Sequence, residues 1–409
     1  MAGILQVAEF PIAEMPNYRP QAVEPQRPLV SAIIPCLNEE RTIGICVRKA
    51  LAAFERLGIH GEVVIGDNGS TDRSVEIAEA LGARVAHQPV KGYGAAISAA
   101  ARAARGRFLI MADADDSYDW SQLDAFVDGL NQGADLVMGN RFAGGIEPGA
   151  MPPLHRYLGN PVLSAVARWL HNSPIRDFHC GMRGFTREAF DKIGARAHGM
   201  EFASEMVINA QRAGLDVRQV PVKLYPDKRD RPPHLRSFRD GWRHLRHIIA
   251  HAPDMLFLMP GLVLLAAGVA GLAVLSGGPV EIAGQYFGIH FVALATMASL
   301  IGLSAILLGT LAKVAIAIYH PKGAGRIVPW LRRGRPLEWL VGCGSVLAAG
   351  GFAADFLLAL KWIFVGGPME QSVHLVFTIT TACVAGVIMV LSGFVLKLLL
   401  DSVADLDGR

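Results

Sequence analysis

The stretch RFLIMADADDSYD, Arg107–Asp119, decides the fold: an apolar run passes directly into the carboxylates Asp113, Asp115 and Asp116. A short apolar run bounded by turn residues reads as a buried strand. In an open α/β sheet, ligands gather at the carboxyl ends of such strands. Asp113 and Asp115, one residue apart, can offer hard oxygen ligands to Mg²⁺ or Mn²⁺, ions commonly shared between carboxylates and substrate phosphates. Alone, an acidic turn after a strand is more often a solvated loop, so its neighbours in the chain decide.

Two upstream runs end in the same manner. LVSAIIP (Leu29–Pro35) leads to Asn38 and Glu39, and EVVIG (Glu62–Gly66) leads to Asp67–Asp72. Helical patterns separate these strands, from about Glu39 to Leu57 and from Asp72 to Leu81, where Thr71 or Asp72 can cap the second helix. A short strand over Ala83–Ala86 precedes a helix over Tyr93–Ala104. That helix opens with Lys91-Gly-Tyr-Gly94, and its glycines permit close backbone approach to a phosphate. The full dinucleotide fingerprint is missing. Alternating strands and helices predict a Rossmann-like α/β domain with a mostly parallel sheet. Asp67 can then accept hydrogen bonds from a nucleotide base or ribose, or merely shape a turn.

Beyond Asp254 the composition changes. The stretches Met255–Ser276, Tyr286–Ala312, Leu337–Val365 and Val373–Leu400 are each apolar and long enough to cross a bilayer as a helix. The first and third loops, GGPVEIAGQ and GGPMEQS, lack Lys and Arg. The middle loop holds Lys322, Arg326, Arg332, Arg333 and Arg335, and the segment before the first span holds Arg229, Arg231, Arg236, Arg239, Arg243 and Arg246. Basic residues favour the cytoplasmic side, so the catalytic half and both termini are expected there, on the cell (inner) membrane. Asp355 is the span charge farthest from an end, and marks an interior contact or a polar site.

Between the halves, SFRDGWRHLRHIIAHAP places Phe238, Trp242, Leu245 and Ile249 on one helical face and basic residues on the other. Such a helix either lies in the membrane surface or packs on the catalytic domain. The division expected is a tail over 1–28, a catalytic domain over 29–228, a juxtamembrane segment over 229–253 and a membrane domain over 254–402. The five cysteines lack CxxC spacing, which suits a reducing compartment without zinc or disulfides. The net charge of +3 averages two unlike halves and gives no reason to expect a nucleic-acid partner. Self-association through the spans is compatible with the sequence.

IIPCLNEE, DNGSTD, KGYGAAI and DADDSYD, in this order and with these gaps, resemble family 2 glycosyltransferases of the GT-A fold. The resemblance runs from about Val30 to His247 and is nearest the branch of dolichyl-phosphate mannose synthases and bacterial polyprenyl-phosphate glycosyltransferases. It implies inverting transfer of a hexose from a UDP- or GDP-linked donor to a polyprenyl phosphate, with a divalent metal. By that resemblance Pro35, Asn38, Glu39, Asp67, Lys91, Gly92 and Ala114 line the nucleotide-sugar pocket, and Asp113 and Asp115 hold metal and diphosphate. Arg141, Arg156, Asn160 and Arg183 are implied on the acceptor side, with Asn160 and the Asp177–Arg183 segment departing from the family's usual residues. Glu205 matches a recurrent acidic position near the active site, and Arg231 or Arg236 would clamp phosphates from a basic flap. A hydroxyl acceptor is the alternative and would require a base, for which Asp177 or Glu205 would serve. The Gln-x-x-Arg-Trp motif of processive synthases is absent.

Overall fold

The computed structural model describes residues 27–228, 237–319, 327–365 and 373–407. It begins with β1 (Val30–Cys36), α1 (Ile43–Leu57), β2 (Gly61–Asp67), α2 (Ser74–Ala80), β3 (Arg84–His87), α3 (Tyr93–Ala103) and β4 (Phe108–Met111). There follow α4 (Asp124–Asn131), β5 (Leu136–Asn140), α5 (Arg141–Gly144), α6 (Asn160–His171), β6 (Arg183–Thr186), α7 (Arg187–Ile193), α8 (Phe202–Arg212) and β7 (Val217–Pro221). Seven strands form one sheet in the order β3-β2-β1-β4-β6-β5-β7. Every pairing is parallel except those made by β6, which runs against both β4 and β5. This is the mostly parallel sheet that the resemblance to GT-A enzymes implied.

Alternation along the strands fills both sides of the sheet. Ile34, Ile65 and Ile110 point into one apolar cluster with Phe54 of α1 and Phe126 of α4. Their chain neighbours Ile33, Val64 and Leu109 enter the other, against Ile97 of α3 and Phe202 and Met206 of α8. Successive side chains of a strand face opposite ways, so a run apolar at every position must be covered twice. The helix expected from Glu39 starts four residues later, at Ile43. Asn38 takes a left-handed φ of +56°, and a turn over Glu39–Thr42 intervenes.

Helix α9 (Ser237–Ala250) connects the halves. Its buried His244 and Ile248 pack on the catalytic half, while Phe238 and Trp242 remain 84% and 61% exposed. The helix therefore packs on the catalytic half, as one of the two expectations had it, and leaves an aromatic edge exposed. Along the seam with α6 and α8, His171 Nε2 meets the Ile248 carbonyl at 3.0 Å and Ser204 Oγ meets His244 Nδ1 at 2.8 Å. Burial drives His171 down to about 4 and His247 to about 3. A histidine whose folded pKa lies below its unfolded value of about 6.5 takes up protons more readily in the unfolded chain, so stability falls as pH drops from about 6.5 towards 4. The thermal midpoint is expected to fall over this window, and to fall less in a His171→Asn/His247→Asn variant. Equal slopes in wild type and variant would remove these histidines as the cause.

The membrane half comprises α10 (Met259–Leu275), a hairpin of β8 (Val280–Ile282) and β9 (Gln285–Phe287), α11 (Ile289–Tyr319), α12 (Ile327–Arg333), α13 (Pro336–Val365) and α14 (Val373–Asp407). A π-helical turn, Asp254–Leu258, leads into α10. Among the described residues, four helices are long and apolar enough to cross a membrane. The second span begins at Ile289 rather than Tyr286, because Tyr286 and Phe287 pair with Glu281 and Val280 in the hairpin. Small residues bring the helices close: a Cβ on Gly386 of α14 would lie 2.4 Å from the Gly344 carbonyl oxygen of α13. Asp355 makes a contact between helices, accepting a 2.9 Å hydrogen bond from the exposed Thr380 hydroxyl across α13 and α14.

Candidate active site

The site is built on the turns that follow β1, β2 and β4. Asp67, at the end of β2, accepts from the Ser70 and Gly69 amides at 2.9 and 3.2 Å and meets His87 Nδ1 at 3.1 Å. Burial opposes its ionisation, but the hydrogen bonds from Ser70, His87 and Gly69 outweigh it and hold the carboxyl below the usual range. Asn38 accepts from the Thr71 amide at 2.7 Å, tying the first turn to the second. Asn68 fixes the third: its side chain receives the Gly92 amide at 2.7 Å and donates to the Gln88 and Val90 carbonyls, while its own carbonyl takes Lys91 Nζ at 2.7 Å. Gly92 has φ +142°, and a Cβ there would lie 2.1 Å from the His198 carbonyl oxygen. Gly92→Ala is therefore expected to displace the start of α3 and weaken nucleoside-diphosphate binding at least tenfold, as read by calorimetric titration. Wild-type affinity would show that the loop is not part of that site.

After β4, Asp115 accepts from the Ser117 amide at 3.0 Å and hydroxyl at 2.6 Å. Asp116, buried with a φ of +59°, pairs with Lys49 at 2.8 Å and Lys228 at 2.6 Å. Arg141, directly after β5, makes a two-pronged ion pair with Asp177, Nε and Nη2 each 2.8 Å from a carboxylate oxygen, and its amide adds a third bond at 3.0 Å. Asp177 is fully enclosed.

Two cavities meet at these aspartates. The first, about 450 Å³, is lined by Pro35, Glu39, Lys91, Gly92 and Ala114, and by Arg239 and Arg243 of α9. The second, about 260 Å³, is lined by Arg141, His155, Asn160, His179 and His244. Asp113, Asp115, Met200 and Asp227 belong to both. The segments around the second cavity also carry the exposed apolar residues Leu154, Tyr157, Leu158 and Val162.

Other expected site residues lie elsewhere. Asn38 and Asp67 shape the turns and are not among the described lining residues. Arg156 stands 5.6 Å from the Tyr157 ring and is not among those lining the second cavity. Arg183 is fully buried and donates to the backbone carbonyls of Cys180, Phe178 and Ala203 at 2.6–3.0 Å, so its role here is to hold the loop. Glu205 accepts from the Arg196 and Ala197 amides and faces a different cavity. Arg231 and Arg236 lie outside the described residues. Sequence reasoning missed Asn68, Asp227, Arg239 and Arg243. The four-residue spacing of the two arginines on a helix was the available signal.

Among the described residues no group of three or more His, Cys, Asp or Glu forms a metal cage. Two carboxylates at a cavity wall are nevertheless the donor set that Mg²⁺ or Mn²⁺ takes when substrate phosphates and water complete the coordination. The residues fit such an ion.

Residues 31–194 match the profile described as Glycosyl transferase family 2, and residues 310–400 match Glycosyltransferase family 2 C-terminal transmembrane region. A low-salt glycan biosynthesis hexosyltransferase of Haloferax volcanii is 38% identical over 371 residues, covering 90% of this chain and 88% of that protein. The chain belongs to glycosyltransferase family 2. A dolichyl-phosphate hexose transferase of Haloferax volcanii is 33% identical to this glycosyltransferase over 193 residues, 47% of this chain and 81% of that one. Among solved structures, a glucosyl-3-phosphoglycerate synthase from Mycobacterium tuberculosis, in complex with Mn²⁺, UDP and glucosyl-3-phosphoglycerate, has a TM-score of 0.42 and 24% identity, covering 55% of this glycosyltransferase and 78% of that chain. The family 2 transmembrane match and the four apolar helices make this glycosyltransferase a membrane protein.

Proposed function

We propose that this enzyme transfers a hexose, with inversion, from a UDP- or GDP-linked sugar to a polyprenyl phosphate, forming a sugar–lipid for envelope glycan or glycoconjugate assembly. The observation that carries the reading is the pair of cavities joined at Asp113 and Asp115. The larger, with Lys91 and the α3 N-terminus, suits the nucleoside diphosphate. The smaller, with Arg141 and Asn160 beneath exposed apolar segments, suits a lipid phosphate. The name of the dolichyl-phosphate hexose transferase supports the same acceptor class.

A phosphate monoester carries about −1.5 to −2 charge at pH 7 and is a competent nucleophile without a base. A hydroxyl is not, and the two carboxylates named for that role from the sequence are engaged, Asp177 with Arg141 and Glu205 with backbone amides. In this mechanism Arg141 and Asn160 orient the acceptor for in-line attack on the anomeric carbon, while Lys91 and the arginines of α9 hold the diphosphate. A bound Mg²⁺ or Mn²⁺ would neutralise charge on the leaving diphosphate. The catalytic half and both termini would face the cytoplasm, which the basic segments flanking the spans support.

The test supplies purified protein with polyprenyl phosphate, Mg²⁺ or Mn²⁺, and in turn UDP-glucose, UDP-galactose, UDP-N-acetylglucosamine and GDP-mannose. A metal-dependent, acid-labile, organic-extractable product with one donor is expected. Transfer to a lipid bearing only a hydroxyl, with none to polyprenyl phosphate, would overturn the reading.

A further inference from the structure

A third cavity, about 400 Å³, lies where the catalytic half meets the second span. It shares no lining residue with the other two. Arg212 at the end of α8 and His251 just past α9 form its basic wall, and Ala315 and Ile316 of α11 form its membrane side. Arg212 donates through Nη2 to the His251 carbonyl, but its Nη1 is enclosed with no hydrogen-bond partner among the described residues. His247, one turn before His251, also encloses an unpartnered ring nitrogen, Nε2.

Buried donors without partners are rare, and leaving one unsatisfied costs about 1–3 kcal/mol. The acids nearby do not answer Arg212 directly. Asp254 is bonded to Lys313 of α11 at 2.7 and 2.8 Å. Glu205, the acid among the lining residues, receives the Arg196 and Ala197 amides at 3.0 and 2.7 Å. Burial draws the Arg212 guanidinium down to about 10, with Asp254 only partly offsetting it. The guanidinium thus keeps its charge and an N–H that no described group takes, on a residue that lines the cavity, which suits an oxyanion that enters with a small shift of the side chain.

Depth selects the oxyanion. At about 1.5 Å per residue, Ala315 lies roughly 39 Å along α11 from Ile289, beyond a hydrocarbon core of about 30 Å. With the far edge of the hydrocarbon core near Ile289, the cavity would fall at headgroup level, with apolar Ala315 and Ile316 on the side where a lipid's glycerol and first methylenes would lie. We propose that this cavity binds the phosphate of an anionic membrane phospholipid, with Arg212 Nη1 as its principal donor. Such a lipid bridges α8, α9 and α11, fastening the catalytic half to the membrane half at a point separate from both substrate cavities.

The test uses the full chain purified in a neutral detergent and titrated with phosphatidylglycerol, phosphatidylcholine or inorganic phosphate. Lipid retention by native mass spectrometry and the thermal midpoint are the readouts. Wild type is expected to retain phosphatidylglycerol and to unfold several degrees higher with it, and Arg212→Gln to retain at least fivefold less. If Arg212→Gln does not fold, Ala315→Phe decides, because it fills the cavity from α11 while leaving Arg212 in place, and the same loss is expected. Equal retention by wild type and a folded variant overturns the proposal. So does equal retention of the two lipids, and stabilisation by inorganic phosphate as large as by phosphatidylglycerol would assign the cavity to a free anion. None of these readouts involves sugar transfer, so this result and the transfer assay can fail independently.

Discussion

Asp115→Asn is expected to lower turnover about a thousandfold while the chain stays folded. The asparagine amide oxygen can still accept from the Ser117 amide and hydroxyl, contacts that Asp115 makes at 3.0 and 2.6 Å, so the turn after β4 keeps its shape. What is lost is the negative charge at the junction of the two cavities. If that charge holds a divalent ion against the diphosphate, its removal forfeits several kcal/mol of transition-state stabilisation, at 1.4 kcal/mol per factor of ten. Single-turnover transfer at saturating donor, with circular dichroism to check the fold, measures it. Turnover within tenfold of wild type, with unchanged metal dependence, would remove Asp115 from the metal's coordination.

Arg141→Ala is expected to cost about 3–5 kcal/mol of stability, in addition to activity, because it leaves Asp177 charged and enclosed without its partner. Asp177 is fully buried and Arg141 nearly so, so water screens the pair little. Replacing both, as Arg141→Met with Asp177→Leu, is expected to recover much of the stability but none of the activity, since the uncompensated charge goes and the acceptor-side cation does not return. Thermal midpoints of the single and double variants separate the two effects. An Arg141→Ala protein as stable as wild type would mean that Asp177 takes up a proton or finds water at little cost.

β1, β2 and β4 were legible because they are apolar at consecutive positions and end in turn residues, whereas β5 and β7, which pair parallel to each other, were not read from the sequence. β1 and β2 lie within one residue of the boundaries read from the sequence. The lysine–glycine loop and the aspartate turn were legible for the same reason, being short and local. The antiparallel β6 was not, since nothing in Arg183–Thr186 declares that it will lie between β4 and β5. Arg183 shows the same limit. Its place in a family-like segment suggests contact with an acceptor, and only the fold brings three backbone carbonyls around it. Glu205 likewise depends on α8 facing the membrane junction rather than the aspartates. Arg239 and Arg243 required knowing which face of α9 turns inward.

The family 2 match in the N-terminal half stops at residue 194, yet Met200, Asp227 and four residues of α9 help wall the two cavities that meet at Asp113 and Asp115. Anchor and catalyst are consequently not interchangeable modules. A catalytic half grafted onto another membrane tail would have to carry α9 with it or lose one side of both pockets. A soluble truncation ending before α9 would be a poor surrogate for screening donors or inhibitors. On the function proposed above, the same continuity would give evolution a short segment, Ser237–Ala250, in which one substitution could alter both cavities at once.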